Sequence, residues 1–446
     1  MGSRVPCGQA TWTGFTPTAL LDRWRKASPA ATGSTRWRRS PVTLAAENAR
    51  LVAQLVSLDL RGGGLTTRGA ITLVGAALAL LCAEVTARAE TSAEGAERPP
   101  AEDDWLDLSS FLEKPYGFLP FFWPTDPAVG KGVGGGVVFL GKPSQGAEPG
   151  TQRPSITVLG GLGTDNGTWG AYAVDSRYWL DDDLHTLVAA AYASAHLDFY
   201  GIGQDSLLQA DPLRYEIAPT GGLAQARYRL GGSSIWAGLR YLFTAADVSF
   251  EALRDTAGVP DYERPSRVGG ASALLTLDTR DNIFTPLRGT LLEGSVGLFA
   301  PWLGGDDTFE RVTLLALQYI PLPAHFYLGL RGEAAAMFGD APFYMAPFVD
   351  LRAVPLLRYQ GEEMALLEGE LRWQFWKRFS LVAFGGGGGA WNDFERLDNW
   401  QGVVSGGGGF RYELARRYGI HAGFDAAVSR DAVAFFFEVG SAWMRP

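Results

Sequence analysis

The sequence predicts an all-β chain, a transmembrane antiparallel β-barrel of about sixteen strands preceded by a signal peptide and a disordered linker. Three observations carry this. From residue 118 to the carboxy terminus, segments of about ten residues set bulky apolar side chains against Gly, Ala or polar ones with period two, the pattern of a wall with lipid on one side and a wet lumen on the other. Connections alternate in length: Asp198 to Leu213, Ser249 to Arg267 and Gly339 to Gly361 are long, whereas Leu322-Pro323-Ala324 is a tight turn. That is the layout of external loops and periplasmic turns. The number of segments is even, which closes an antiparallel bacterial barrel and removes its edges.

Residues 1–67 are rich in Arg, Ser, Thr and Ala, show no strand pattern, and read as a non-native or disordered extension. Residues 68–89 carry Arg68, an apolar run from Gly69 to Ala83 and the small-residue stretch Ala87-Arg88-Ala89. This succession reads as a secretory signal peptide cleaved after Ala89, with an uncleaved anchor as the alternative. Residues 90–117, with Pro99-Pro100 and Glu102-Asp103-Asp104, read as a polar linker.

The barrel, 118–446, is built from Phe118 to Trp123, Val133 to Leu140, Ser155 to Gly163, Gly170 to Trp179, His185 to Ser194, Tyr215 to Leu230, Ser234 to Ala245 and Gly269 to Thr279. Thr290 to Ala300, Phe309 to Ile320, His325 to Phe338, Ala365 to Trp376, Arg378 to Gly388, Val403 to Glu413, Tyr418 to Val428 and Ala432 to Trp443 complete it. The alternation is clearest from Leu367 onward. Leu367, Gly369, Leu371, Trp373 and Phe375 share one face, expected toward lipid, and Glu368, Glu370, Arg372 and Gln374 share the other, expected toward the lumen.

Composition bounds the function. Of 39 Lys and Arg, eleven precede residue 90, as do four of 48 Asp and Glu, so a mature chain carries a net charge of about −16. That opposes nucleic-acid binding, which depends on neutralising phosphates. The two cysteines, Cys7 and Cys82, both lie in the part expected to be removed or unstructured. The four histidines, His185, His196, His325 and His421, stand in no nucleophile elbow or zinc motif, so the chain is not read as an enzyme. The glycine runs 385–389 and 406–409 lack a following Gly-Lys-Ser/Thr, and no cofactor or metal pattern is present.

Several motifs carry a family resemblance. The loop Leu357-Arg358-Tyr359-Gln360-Gly361, followed by a strand with Glu370-Leu371-Arg372, resembles the sixth extracellular loop and next strand of BamA/TamA-type outer-membrane barrels, the outer-membrane-protein-85 superfamily. There a Val-Arg-Gly-Phe/Tyr loop precedes a strand with Glu-Leu-Arg; here the Gly after Arg358 is missing. Phe199-Tyr200-Gly201-Ile202-Gly203 resembles a loop of relatives without POTRA modules, and no such module fits between Ala89 and Phe118. Asp278, Arg280 and Asp281, with Pro286 and Gly289, resemble the family's Asp-x-Arg-Asp hairpin, where the charges are read as structural pairs. The end Glu438-Val439-Gly440-Ser441-Ala442-Trp443 resembles the aromatic-terminated signal read by the outer-membrane assembly machinery.

The resemblance implies that Arg358, flanked by Tyr359 and Gly361, latches the loop inside the lumen on an acid of the wall. The family's acid sits in a Phe-x-Asp-x-Gly strand motif, but Gly386 stands at its position here. By face parity Glu368, Glu370, Glu413, Asp425 and Glu438 are the candidates, and a loop Arg358 at the surface is the alternative. The resemblance further implies insertion or translocation of proteins or lipids at the outer membrane, with opening between first and last strands; outer-membrane lipids, the assembly machinery and client proteins are its partners. Pro120 cannot donate to a ladder, so that seam is expected to be short of hydrogen bonds. A passive channel or structural barrel that kept only the fold is the competing reading.

Overall fold

The computed structural model describes residues 106–112, 114, 117–125, 127–143, 153–203, 207–209, 212–250, 263–392 and 400–444. The extension 1–67, the signal peptide 68–89 and the linker up to residue 105 lie outside the described residues.

Sixteen strands follow one another: β1 (Leu119–Pro124), β2 (Gly132–Pro143), β3 (Pro154–Thr164), β4 (Trp169–Trp179), β5 (Leu184–Phe199), β6 (Leu213–Arg229), β7 (Ile235–Phe250) and β8 (Glu263–Asp278). They continue with β9 (Gly289–Phe299), β10 (Phe309–Leu322), β11 (Phe326–Gly339), β12 (Glu363–Trp376), β13 (Phe379–Trp391), β14 (Gln401–Ala415), β15 (Ile420–Ser429) and β16 (Val433–Val439). Each pairs antiparallel with the next in one sixteen-stranded sheet. Every strand expected from the alternation is present.

The two faces separate as the alternation requires. On β12, Leu371 and Trp373 are 38% and 41% exposed on the outer face, while Arg372 is 5% exposed and faces inward. Aromatic rims mark both ends of the outer face. Trp169 packs against Tyr192 at the extracellular rim, and Trp373 stacks on Phe326 with Trp376 on Phe379 at the other. Such girdles border the apolar band of a transmembrane barrel.

The last strand is shorter than its sequence pattern suggests. Period two runs on to Trp443, but β16 stops at Val439 because Gly440 takes φ +87°, a left-handed conformation open to glycine, and turns the chain off the wall.

Part of the expected linker is structured. Ser109–Leu112 forms a helical turn, α1, and Leu112 is fully buried among Leu119, Ile156, Phe284 and Tyr418. The Leu108 amide donates to the Leu414 carbonyl at 2.9 Å, and Arg378 pairs with Asp107 at 3.0 Å. These apolar and charged contacts tie the approach to β1 onto the periplasmic ends of β13 and β14.

Candidate functional site in the lumen and at the seam

The loop between β11 and β12 folds back into the barrel. Its apolar side chains Val349, Leu351, Val354 and Tyr359 bury against Met364, Leu366, Ala390 and Val403 on the lumenal wall. Space for it comes from the glycine run of β13, since a Cβ at Gly388 would lie 3.0 Å from Val349 and 2.7 Å from Leu366. Gly361 approaches the Trp391 backbone so closely that a Cβ would lie 2.5 Å from its carbonyl oxygen.

The latching arginine is Arg352, and this corrects the expectation for Arg358. Arg352 Nε donates to Glu368 at 2.9 Å, and its Nη1 donates to Glu370 at 2.9 Å and to Asp425 at 3.1 Å. Its guanidinium lies 3.3 Å from the centroid of the Phe384 ring. Arg411 donates to Asp425 from the other side at 2.8 Å. Glu368, Glu370 and Asp425, three of the five candidates from face parity, are therefore the lumenal latch acids. Glu413 binds Arg416 instead, and Glu438 is not among the partners of Arg352.

Arg358 lies nearer the mouth. It donates to the Gln209 carbonyl at 3.1 Å, sits 4.0 Å from the Tyr200 ring, and has Asp431 at 3.8 Å, so it pairs with neither Glu370 nor Asp425. Tyr359 is fully buried; its hydroxyl donates to Asp431 at 2.5 Å and accepts from Arg430 at 2.8 Å. The Phe199–Gly203 segment covers this part of the loop. The Gly203 amide donates to the Gln360 carbonyl at 3.0 Å, and Phe199 packs on Phe343.

Two local signals mark the latch that sequence reasoning missed. Arg352 is followed by Ala353 at φ +63°, a left-handed backbone that favours glycine and turns the loop beside the arginine. Gly386, where the resemblance led one to expect the acid, is the register partner of Glu368, so a carboxylate stands one strand across from that position.

The carboxy-terminal tail reaches the same carboxylate from the periplasmic side. Trp443 Nε1 donates to Glu368 at 2.7 Å, and its ring packs with Leu291, Leu317 and Tyr319. Trp443 is therefore a lumenal residue beyond β16, which corrects the expected strand end at Trp443 and follows from the turn at Gly440. The Asp-x-Arg-Asp hairpin supports the tail. Arg280 pairs with Asp278 at 3.0 Å, Asp281 accepts from the Leu287 amide at 3.0 Å, Gly289 takes φ +105°, and the buried Pro286 lines a small cavity with Trp443. The Phe284 carbonyl accepts from the Ser441 amide at 2.6 Å.

A second lumenal group, on β4 to β6, has the residue types of a hydrolase but the wrong protonation. Ser176 lies 2.8 Å from His185 Nε2, and Arg227 Nη2 reaches Nδ1 at 2.9 Å. A guanidinium only donates, so Nδ1 accepts, Nε2 carries the proton, and the ring cannot take the proton of Ser176.

The first and last strands complete the geometry. Among the described residues the sheet has no ladder between β1 and β16, although Phe122 and Phe437 stack 4.8 Å apart across the gap. The Thr125 amide donates to Gly132 on the β2 side. By alternation, Pro120, Phe122 and Pro124 turn their backbone polar groups toward β16, and two of these three have no N–H. The Gly440 amide donates to His421 and the Ser429 amide to Ala432. This parity points the backbone groups of Val433, Phe435, Phe437 and Val439 toward β1.

No protein-family model matches the chain, and no match to a curated protein sequence is found. Among solved structures, CdiB from Escherichia coli is similar over 76% of this chain and 63% of its own, with a TM-score of 0.50 and 10% identity. BamA from Haemophilus ducreyi lacking POTRA domains 1–3 aligns over 72% of this chain and 70% of its own, with a TM-score of 0.46 and 13% identity. CdiB from Acinetobacter baumannii aligns over 72% and 59%, with a TM-score of 0.45 and 8% identity. The chain thus spans about two thirds or less of the length of either CdiB. With sixteen strands in consecutive order, an apolar outer face and a loop folded into the lumen, the chain is an outer-membrane-type β-barrel whose fold is that of CdiB from Escherichia coli.

Proposed function

We propose that this barrel inserts or passes polypeptide at the outer membrane through its wall, at the seam between β1 and β16. One observation carries the reading: the seam is the place where the ladder stops, and the two strands are unequal there. β1 offers a single backbone N–H to its neighbour, from Phe122, because Pro120 and Pro124 have none. β16 has both N–H and C=O groups at Val433, Phe435, Phe437 and Val439, and unpaired backbone groups in lipid are costly. An extended polypeptide that adds to β16 satisfies them, by the physics of strand addition to any exposed sheet edge.

The lumen favours the wall over the pore as a route. Arg352, Glu368 and Trp443 meet in its middle, with a loop from outside and a tail from the periplasm. That arrangement counts against an open passive channel. In the same proposal the barrel works by passage and not by catalysis, and the part read by the assembly machinery is the apolar strand Val433–Val439.

A reversible tether tests this. Phe122→Cys with Phe437→Cys should form a disulfide across the seam. Under oxidising conditions the outer-membrane proteome of cells carrying this variant should match that of cells lacking the protein, and reduction should restore it. A normal proteome with the tether closed contradicts passage at the seam.

A further inference from the structure

The outer face of β4 carries charges where lipid is expected. Its outward residues run Trp169, Ala171, Ala173, Asp175, Arg177 and Trp179, and both tryptophans are about half exposed, at 48% and 49%. At ~3.3 Å per residue and a tilt of ~40°, the two rings are about 25 Å apart, the height of the apolar band. Arg177 then lies about 5 Å, and Asp175 about 10 Å, inside the periplasmic ring.

The pair is built and not incidental. Arg177 donates to Asp175 through Nε at 2.6 Å and Nη2 at 3.0 Å, and Thr157 on β3 donates to the same carboxylate at 2.6 Å. Beside it the Trp179 indole donates to Thr186 at 2.8 Å. This bidentate grip fixes the guanidinium plane and leaves Nη1, with two N–H groups, lacking an acceptor among the described residues. In hydrocarbon such donors are costly, and the acceptors within reach at that depth belong to the inner-leaflet head groups.

We propose that Arg177, oriented by Asp175 and Thr157, is a binding site for the phosphodiester of an inner-leaflet phospholipid. Arginine suits this role because its planar fork meets two phosphate oxygens while Asp175 offsets its charge. The lipid's chains lie along Ala171 and Ala173, whose small side chains leave the strand surface shallow. This inference concerns the wall at β3 to β5 and is independent of the seam.

Purified full chain should be placed in nanodiscs of phosphatidylethanolamine and phosphatidylglycerol, released, and weighed by native mass spectrometry. The unmodified barrel should retain one more phospholipid than Arg177→Leu and Arg177→Gln, with binding about ten-fold or more weaker in the variants. Thr157→Val should weaken retention less than either. Both arginine variants leave Asp175 without its partner toward lipid, so their folded fraction is measured first by heat-modified mobility on gels and retention is compared on folded protein alone. Equal phospholipid retention in all four proteins overturns the proposal.

Discussion

Arg352 and Glu368 meet at 2.9 Å inside the barrel, and the second oxygen of Glu368 holds Trp443 at 2.7 Å. One carboxylate thus fastens a loop that enters from outside and a tail that enters from the periplasm. Both side chains of the ion pair are nearly inaccessible, at 8% for Arg352 and 1% for Glu368.

Removing one member of such a pair strands the other charge, at a cost of about 3–5 kcal/mol when fully desolvated. Arg352→Ala should release the loop, seen as faster cleavage by external protease between residues 340 and 362. Arg358→Ala loses a ring contact and a hydrogen bond to the Gln209 carbonyl at the mouth, each worth about 1 kcal/mol, and should speed cleavage much less than Arg352→Ala. Equal rates in the two variants would show that Arg352 is not the latch.

Trp443→Phe keeps an aromatic ring against Tyr319 and deletes the donor to Glu368. A hydrogen bond to a charged group is worth about 1.5–3 kcal/mol. Urea unfolding from lipid vesicles should register a loss in that range, and adding Glu368→Gln should cost less than the sum of the two single changes. Strict additivity would mean that the indole and the carboxylate do not interact.

Face assignment on β12 predicts an asymmetry between neighbours. Leu371→Arg sets a charge toward lipid at about 2–4 kcal/mol near the midplane, whereas Arg372→Leu replaces a lumenal guanidinium whose partners are His421 and the Tyr327 ring. Folding yield in vesicles should fall sharply for the first and mildly for the second. The reverse order would invert the wall.

The contact of Asp107 with Arg378 should make the strap before β1 sensitive to acid. Burial pushes the Asp107 carboxyl up, but hydrogen bonds from Ser109 and the Arg378 guanidinium outweigh it and hold the carboxyl below its ordinary value. A depressed folded-state value contributes stability above the ordinary carboxylate range, lost as pH falls through the folded value. Protection of the Leu108 amide, which bonds to Leu414, taken relative to the intrinsic exchange rate at each pH, should therefore fall below that range in the parent. In Asp107→Asn exchange should be fast already at neutral pH, without an acid step.

Period two placed all sixteen strands because lipid and lumen act on every residue of a barrel wall, so the constraint is local and repeated. The latch was less legible. Arg358 stands in a Leu-Arg-Tyr context that resembles the motif, whereas Arg352 precedes an alanine whose left-handed backbone shows only in three dimensions. That Glu368 stands beside Gly386 is a matter of register between β12 and β13, which neither strand encodes alone. Trp443 kept the alternation of β16, and a single glycine rotation at Gly440 took it inward. The acids Glu368, Glu370 and Asp425 were recoverable because face parity alone decides that they meet the lumen.

The seam is tested most directly by crosslinking in living cells. A photoreactive amino acid at Phe435, on the open edge of β16, should capture polypeptides during outer-membrane growth. The same group at Leu275, outward on the paired wall of β8 and 57% exposed, should capture none. Equal capture at both positions, or capture at lumenal Val382 with none at Phe435, would contradict passage through the wall at β1 and β16.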